Sequence, residues 1–397
     1  MEHRPRKIAM IINDFYPKSG GISTWNQNIA KFLHKKNLQI HIYLLTAFKK
    51  INYEEKFPFT ITAIHEISIY PKVFGSPGVK NISRYIVSVL KFLSLINENF
   101  KNYDIIQSSD PVCGILGSII KILYRKPHII IIGENSYFNF NYNFLKMILY
   151  SIAYFIIFRF ADSIIVDGED IRNALVRRKI RISKIKLIPH AIDINQFAPI
   201  KNKSNLKKYF GLEDQKIFDI HKTVIVFLGR LYDLNDPISF LRILNNIPNC
   251  IGIVIGDGPL RPIMEKKAKT IKTKIIFTGM IELDEVPYAL AVADICVFPL
   301  KSIGGVSQVV TEAMACGKCV VTTNAGSMGD LITDGYNGFI SDVGDIEKIT
   351  RNTLTASKNR EMRRKMGENA RKTVIRNWSW EKRIHVYLEL YSDPYLS

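Results

Sequence analysis

Short β-branched runs recur along this chain, each followed by a loop and an amphipathic stretch, and that alternation leaves few folds open. In the second half Val224–Leu228 leads to Gly229-Arg230, Ile251–Ile255 to Gly256-Asp257-Gly258-Pro259, and Ile275–Phe277 to Gly279. Ile295–Pro299 leads to Gly304-Gly305, and Cys319–Thr323 to Asn324-Ala325-Gly326. The first half opens with strand Ile8–Ile12, loop Asn13–Gly21 and a helix whose apolar face is Ile22, Trp25, Ile29, Phe32 and Leu33. Further strands are expected at Ile40–Leu45, Ile105–Gln107, His128–Ile132 and Ser163–Val166, with Lys186–Pro189 closing the first domain. The pattern predicts an α/β chain of parallel sheets wrapped by helices. Such sheets bind ligands where strands end, which is where these glycines lie.

A chain of 397 residues exceeds what one hydrophobic core serves, so two domains are expected. A stretch from about Asp193 to Lys203, with Pro199 and little apolar periodicity, reads as the linker. Near the end, Ser379 reads as the cap of a helix with Ile384, Tyr387, Leu388 and Tyr391 on one face. The opening residues are polar and basic and do not read as a signal peptide. Five cysteines without framework spacing suit a reducing compartment, and the lone pair Cys316 and Cys319 cannot close a zinc site. A cytoplasmic location, peripheral at the inner membrane face, is expected.

The net charge is +19. Residues 1–196 carry 27 Lys/Arg against 14 Asp/Glu, and the remainder 28 against 22. The densest cluster is Arg177, Arg178, Lys179, Arg181, Lys184 and Lys186. This excess suits an anionic partner for the first half, an acidic lipid surface or a phosphate-bearing acceptor, and equally a merely solvated lysine-rich surface; nucleic acid is not expected, since no recognition motif appears. The greasy run Met147–Phe158 falls short of the ~20 residues of a membrane-spanning helix. It suits core packing, with shallow contact with lipid as the rival reading.

The stretch Gly304 to Gly317 reads as a glycine turn, a cap at Ser307, and a short helix with Glu312 on its second turn. Gly304, Gly305, Ser307, Gln308, Val309 and Val310 would offer backbone N–H groups and a positive helix end to a nucleoside diphosphate. Glu312 would accept hydrogen bonds from ribose hydroxyls. Arg230 suits bidentate contact with a diphosphate. Gly20 and Gly21, in the loop Lys18-Ser19-Gly20-Gly21-Ile22, let backbone approach a phosphate. The chain has no Gly-x-Gly-x-x-Gly of a nicotinamide enzyme and no Asp-x-Asp, so no cofactor and no metal are expected.

In order along the chain come Asn13-Asp14-Phe15-Tyr16-Pro17 with Gly20-Gly21, Ile188-Pro189-His190-Ala191-Ile192-Asp193 with Phe197, and Gly229-Arg230-Leu231. Gly256-Asp257-Gly258-Pro259, Phe277-Thr278-Gly279, Glu312-Ala313-Met314-Ala315-Cys316-Gly317 and Asp334-Gly335-Tyr336-Asn337-Gly338 follow. The set resembles the signatures of retaining family 4 glycosyltransferases of the GT-B type. The resemblance implies two Rossmann-like domains with parallel sheets facing across a cleft, and a C-terminal helix crossing back to the first. The domains would be 1–196 with 377–397, binding the acceptor, and 197–376, binding the nucleotide sugar. It implies metal-independent transfer of a sugar to a membrane-linked or polymeric glycan acceptor.

Three positions depart from the family pattern. A His expected after His128–Ile132 is replaced by Gly133-Glu134, a Lys five residues after Arg230 by Asn235, and the first of two glutamates by Gly304. Arg230, Glu312 and Glu134 are the catalytic candidates; the first two carry over from the family, and Glu134 would line the sugar pocket. Asn235 occupies a donor-binding position, and Glu134, Lys301 or Lys318 would substitute for the lost groups. The alternative is a chain that keeps the fold as a binding or structural subunit without turnover.

Overall fold

The structure is a computed structural model, describing residues 6–16, 20–45, 51–64, 92–94, 96, 98–133, 144–200 and 222–392. It divides into two compact units, Met1–Ile188 with Ile384–Ser397, and Pro189–Arg383.

The first unit is built on a parallel sheet of β1 (Lys7–Ile12), β2 (Gln39–Leu45), β3 (Thr60–Ile64), β4 (Ile105–Ser109), β5 (His128–Ile132), β6 (Ser163–Val166) and β7 (Ile185–Leu187). The order is β3-β2-β1-β4-β5-β6-β7. Strands β4, β5 and β6 are buried at every residue, as a sheet covered on both faces requires. The expected strand at Lys186–Pro189 is shorter and shifted to Ile185–Leu187. Strand β3 was not expected: it is an edge strand, half-exposed along most of its length, and lacks a continuous apolar run.

Helices α1 (Gly21–Lys35), α2 (Pro111–Tyr124), α3 (Phe144–Phe160) and α4 (Glu169–Arg177) accompany this sheet. The expected apolar face of α1 is buried except for half-buried Ile22, but Ser23, Thr24, Asn26, Gln27 and Asn28 are buried too. Asn26 donates to the Asp14 carbonyl at 2.9 Å and the Ser109 hydroxyl at 3.1 Å, tying α1 to the ends of β1 and β4. Trp25 Nε1 donates to the Tyr387 hydroxyl at 2.8 Å. A Cβ on Gly117 would lie 2.3 Å from His128 Nε2, so glycine lets α2 settle onto β5.

The second unit repeats the plan with β8 (Thr223–Leu228), β9 (Cys250–Ile255), β10 (Lys274–Gly279), β11 (Ile295–Phe298), β12 (Cys319–Thr323) and β13 (Phe339–Ser341). The order is β10-β9-β8-β11-β12-β13, again parallel throughout. Its helices are α5 (Pro237–Leu244), α6 (Arg261–Ala268), α7 (Val286–Ala291), α8 (Gln308–Ala315), α9 (Ile346–Lys358), α10 (Arg360–Asn377) and α11 (Trp380–Ser392). The division at Arg383 assigns the last residues of α11 to the first unit, where Ile384, Tyr387, Leu390 and Tyr391 are buried.

Local chemistry sets the ends of these helices. Asp236 caps α5 through Ser239 N at 3.3 Å, and Pro237 follows in the first turn, where no N–H is needed. Helix α8 ends on Gly317 at φ 70, with Gly317 N donating to Met314 O and Lys318 N to Ala313 O. That is the reciprocal closure glycine permits. Of the expected linker, the described part is not loose: Arg371 donates to the carbonyls of Ile194 and Phe197 and to that of Ala315 at the end of α8. Each strand order reverses beside its first strand, between β1 and β4 and between β8 and β11. Those reversals are where open α/β sheets hold ligands.

Candidate functional site

At the reversal point of the second unit, the loops leaving β8 and β9 are stitched together. Gly229 N donates to Ile255 O and Leu231 N to Asp257 O, both at 2.9 Å, while Gly256 N donates to Gly279 O at 2.8 Å. Gly256 has φ 128, and a Cβ there would lie 2.1 Å from the Gly229 carbonyl, so only glycine lets the loops touch. Arg230 is exposed between two anchored neighbours, its backbone fixed at the carboxyl edge of the sheet.

Across the reversal, the loop after β11 leads through half-buried Gly304 and through Gly305, at φ 59, into α8. The Gly305 carbonyl accepts from Ser327 N at 2.7 Å, and Ser307 N contacts Met328 Sδ at 3.4 Å, so the loop after β12 props the start of the helix. Ser307 occupies the cap position, but its side chain makes no capping bond, contrary to the sequence reading; its carbonyl instead accepts from Thr311 N and Oγ1. Thr311 N makes the first bond inside α8, so the amides of Gln308, Val309 and Val310 precede the helical ladder and form its positive end. One turn on, Glu312 is 4% exposed. Burial pushes its carboxyl up to about 8, partly offset by the Gln308 side chain.

The remaining polar groups sort by which end of a strand they occupy. Lys301, just after β11, pairs with Asp233 at 2.7 Å and Asp236 at 3.7 Å, and its N–H donates to Leu234 O. It therefore sits against the Arg230–Asp236 loop, its ammonium held above its ordinary value chiefly by the hydrogen bond to Asp233. Lys318 precedes β12 and donates to Ala291 O and Ala293 O, at the opposite edge of the sheet. As a substitute for a lost phosphate contact, Lys318 is excluded by position. Asn235 Nδ2 donates to the Arg230 carbonyl at 2.8 Å, so this amide closes its own loop. Cys316 and Cys319 are buried, and Cys319 Sγ lies against Met366 Sδ at 3.5 Å. Among the described residues no group of three or more His, Cys, Asp or Glu is placed to hold a metal ion.

In the first unit Gly20, at φ 138, accepts from Thr24 N, and Gly21 opens α1. Lys18, Ser19 and Glu134 lie outside the described residues. Sequence reasoning missed Asp110, which follows β4 at φ 75 and is 7% exposed. Its Oδ1 caps α2 through Val112 N and Cys113 N, while its Oδ2 is buried without a hydrogen-bond partner among the described residues. Burial, with a smaller push from Asp14, raises the carboxyl to about 7. Asp before Pro111 reads as an ordinary helix start, which hides the second oxygen.

Comparison with known proteins adds the family. Residues 19–196 match the model for Glycosyltransferase Family 4, and residues 212–373 that for Glycosyl transferases group 1. The chain belongs to the family 4 glycosyltransferases. An uncharacterised glycosyltransferase of Methanocaldococcus jannaschii is 24% identical, the match covering 97% of this chain and 98% of that one. The UDP-Gal:alpha-D-GlcNAc-diphosphoundecaprenol alpha-1,3-galactosyltransferase of Escherichia coli is 24% identical over 79% of this chain and 81% of its own. Among solved structures, HepE of Anabaena in complex with UDP aligns with TM-score 0.76 at 19% identity, covering 97% of this chain and 99% of HepE. That likeness shows the GT-B fold.

For this family 4 glycosyltransferase two of the three departures acquire local explanations. A Cβ at Gly133 would lie 2.9 Å from Trp25 Cζ3, so the indole that Tyr387 holds occupies the space beside that backbone. At position 235 the glycosyltransferase carries a loop staple, and the neighbouring positive charge comes from Lys301 on another loop.

Proposed function

We propose that this glycosyltransferase moves a sugar from a nucleoside-diphosphate sugar to a hydroxyl of a lipid-linked or glycan acceptor, with retention and without a metal. One observation carries the reading: the amides of Gln308–Val310 begin α8 one turn before buried Glu312, at the reversal point where the Arg230 loop also ends. The helix start and Arg230 neutralise the diphosphate as the bond from the anomeric carbon to the phosphate oxygen breaks. The acceptor oxygen bonds to that carbon on the same face, and its proton passes to the leaving phosphate oxygen. Glu312 accepts from the ribose hydroxyls. The UDP in the HepE structure and the diphosphoundecaprenol in the name of the E. coli relative support a nucleotide donor and a lipid-linked acceptor.

Lys301 stands in for the cation absent at position 235. Lys301→Ala is expected to weaken nucleoside diphosphate binding by ~10-fold, the order of one partly exposed charge-assisted hydrogen bond. Titration calorimetry checks this, and unchanged affinity assigns Lys301 to loop closure alone.

A second reading, a binding subunit without turnover, is favoured by Gly133, Asn235 and Gly304 standing where the family pattern has polar groups. A thermal-shift panel of nucleoside diphosphates, run with radiolabelled sugar transfer, separates the two. Binding to the folded state raises its melting temperature by mass action, by several degrees at ~100 Kd. A shift with transfer supports the enzyme, a shift without transfer the binding subunit, and no shift for any nucleotide contradicts both.

A further inference from the structure

Helix α3 is apolar on all sides, and the structure divides those sides between core and solvent. Ala153, Tyr154, Ile157 and Phe158 are buried against the sheet, whereas Ile148, Ile152 and Phe155 are 37%, 53% and 73% exposed. Spacings of four and three residues place the exposed three on one stripe, which Arg159 continues one turn on. Side chains this large and this exposed in register mark a contact surface.

The stripe is not isolated. Helix α2 packs beside α3, and Lys121 near its end pairs with Asp162 just past α3, so the two helices finish side by side. There α2 exposes Ile122 at 54% and Leu123 at 60%, followed at once by Arg125 and Lys126. Helix α4 also runs from the carboxyl end of a strand to the amino end of the next, so it finishes at the same sheet edge. It brings Arg177, Arg178, Lys179 and Arg181, with Ile182 exposed beyond them. From 111 to 160 the chain has five Lys/Arg against one acidic residue, Glu134. The Asp162 carboxylate, just past the end of α3, is neutralised by Lys121. A surface of large apolar side chains bordered almost wholly by cations is complementary to lipid phosphates over acyl chains. A second copy of so basic a surface would be repelled. No helix among the described residues is long and apolar enough to cross a membrane.

We infer that the α2–α3 face of the first unit, with the basic end of α4, docks onto an anionic lipid surface. Phe155 and Ile152 enter the boundary of the acyl chains, and Arg125, Lys126 and Arg159 meet lipid phosphates. The inference deepens the lipid-linked acceptor reading and gives that reading its surface, but its test has a separate readout. The full chain is sedimented with vesicles of phosphatidylcholine alone or with phosphatidylglycerol, at low and high salt. Wild type is expected to bind the phosphatidylglycerol vesicles, more weakly as salt rises, and to ignore pure phosphatidylcholine. The variant Ile152→Ser with Phe155→Ser, both at exposed positions, is expected to lose binding by ~10-fold or more, with its nucleotide thermal shift unchanged. Equal binding by variant and wild type, or no binding by wild type at low salt, overturns the inference. A dimer that forms with concentration and is dispersed by the variant overturns it too, by giving the face to a second copy. Loss of the nucleotide shift in wild type speaks against the donor site and leaves the vesicle result standing.

Discussion

Arg230→Ala is expected to lower sugar transfer by ~10²–10³-fold, the cost of deleting one preorganised donor to developing charge. The fold should not notice. Arg230 is exposed, and its backbone is held by the bonds of Gly229 and Leu231 to the β9 loop, which alanine leaves intact. The melting temperature of the ligand-free protein should therefore stay within a degree or two. Arg230→Lys should recover only part of the rate, because a single ammonium cannot grip two phosphate oxygens as a planar fork does. Steady-state transfer with radiolabelled donor reads wild type and both variants. Full activity in Arg230→Ala would remove this residue from the leaving-group site.

Glu312→Gln should move stability and function in opposite directions. The folded protein holds the Glu312 carboxyl at about 8, against an ordinary value of 4.5, because ionisation inside the unit is penalised by burial. Between those values the unfolded chain has released its proton and the folded chain has not. The contribution to stability is therefore fully present below pH ~4.5 and is lost progressively as pH rises through about 8. Glutamine carries no such loss. The ligand-free variant should melt above wild type at neutral pH, and the gap should widen from pH 5 to pH 8. Donor binding should behave the other way. A ribose diol donates better to a carboxylate than to an amide, so wild-type affinity should strengthen toward pH 8. Glu312→Gln should bind ~10–100-fold more weakly with a flat profile. Thermal melts and nucleotide titrations across pH check both halves. A variant less stable than wild type at pH 8 would show that the buried carboxyl serves the fold instead of the ligand.

What could be read before the structure follows from what each signal measures. Strands β5, β6 and β12 were placed to the residue because a central parallel strand is apolar on both faces. Strands β3 and β13 escaped because edge strands are short and half-exposed, so no apolar run marks them. Helix α3 showed the opposite failure. A helix apolar all round does not say which side meets the sheet, and only coordinates separated Phe158 from Phe155. In α1 helical spacing marks only the apolar face, and nothing in it shows that Asn26 is buried too, by its bonds to the ends of β1 and β4.

The candidate site was legible through its glycines, since Gly256, whose Cβ would run into the Gly229 carbonyl, admits no side chain. Lys301 and Lys318 stood as equal candidates until strand direction separated them: one follows its strand and the other precedes it. Asp110 was hidden because one oxygen does the ordinary work of a cap. At Gly133 the sequence showed only a missing side chain, whereas the structure shows the Trp25 ring beside it.

The most direct measurement is a crystal structure of the chain with a nucleoside diphosphate such as UDP bound, grown without divalent cations. The diphosphate should lie within hydrogen-bond distance of the Arg230 guanidinium and the amides of Gln308–Val310, with ribose hydroxyls on the Glu312 carboxylate. Phosphates seated elsewhere, with Arg230 turned from them and the start of α8 untouched, would contradict the account.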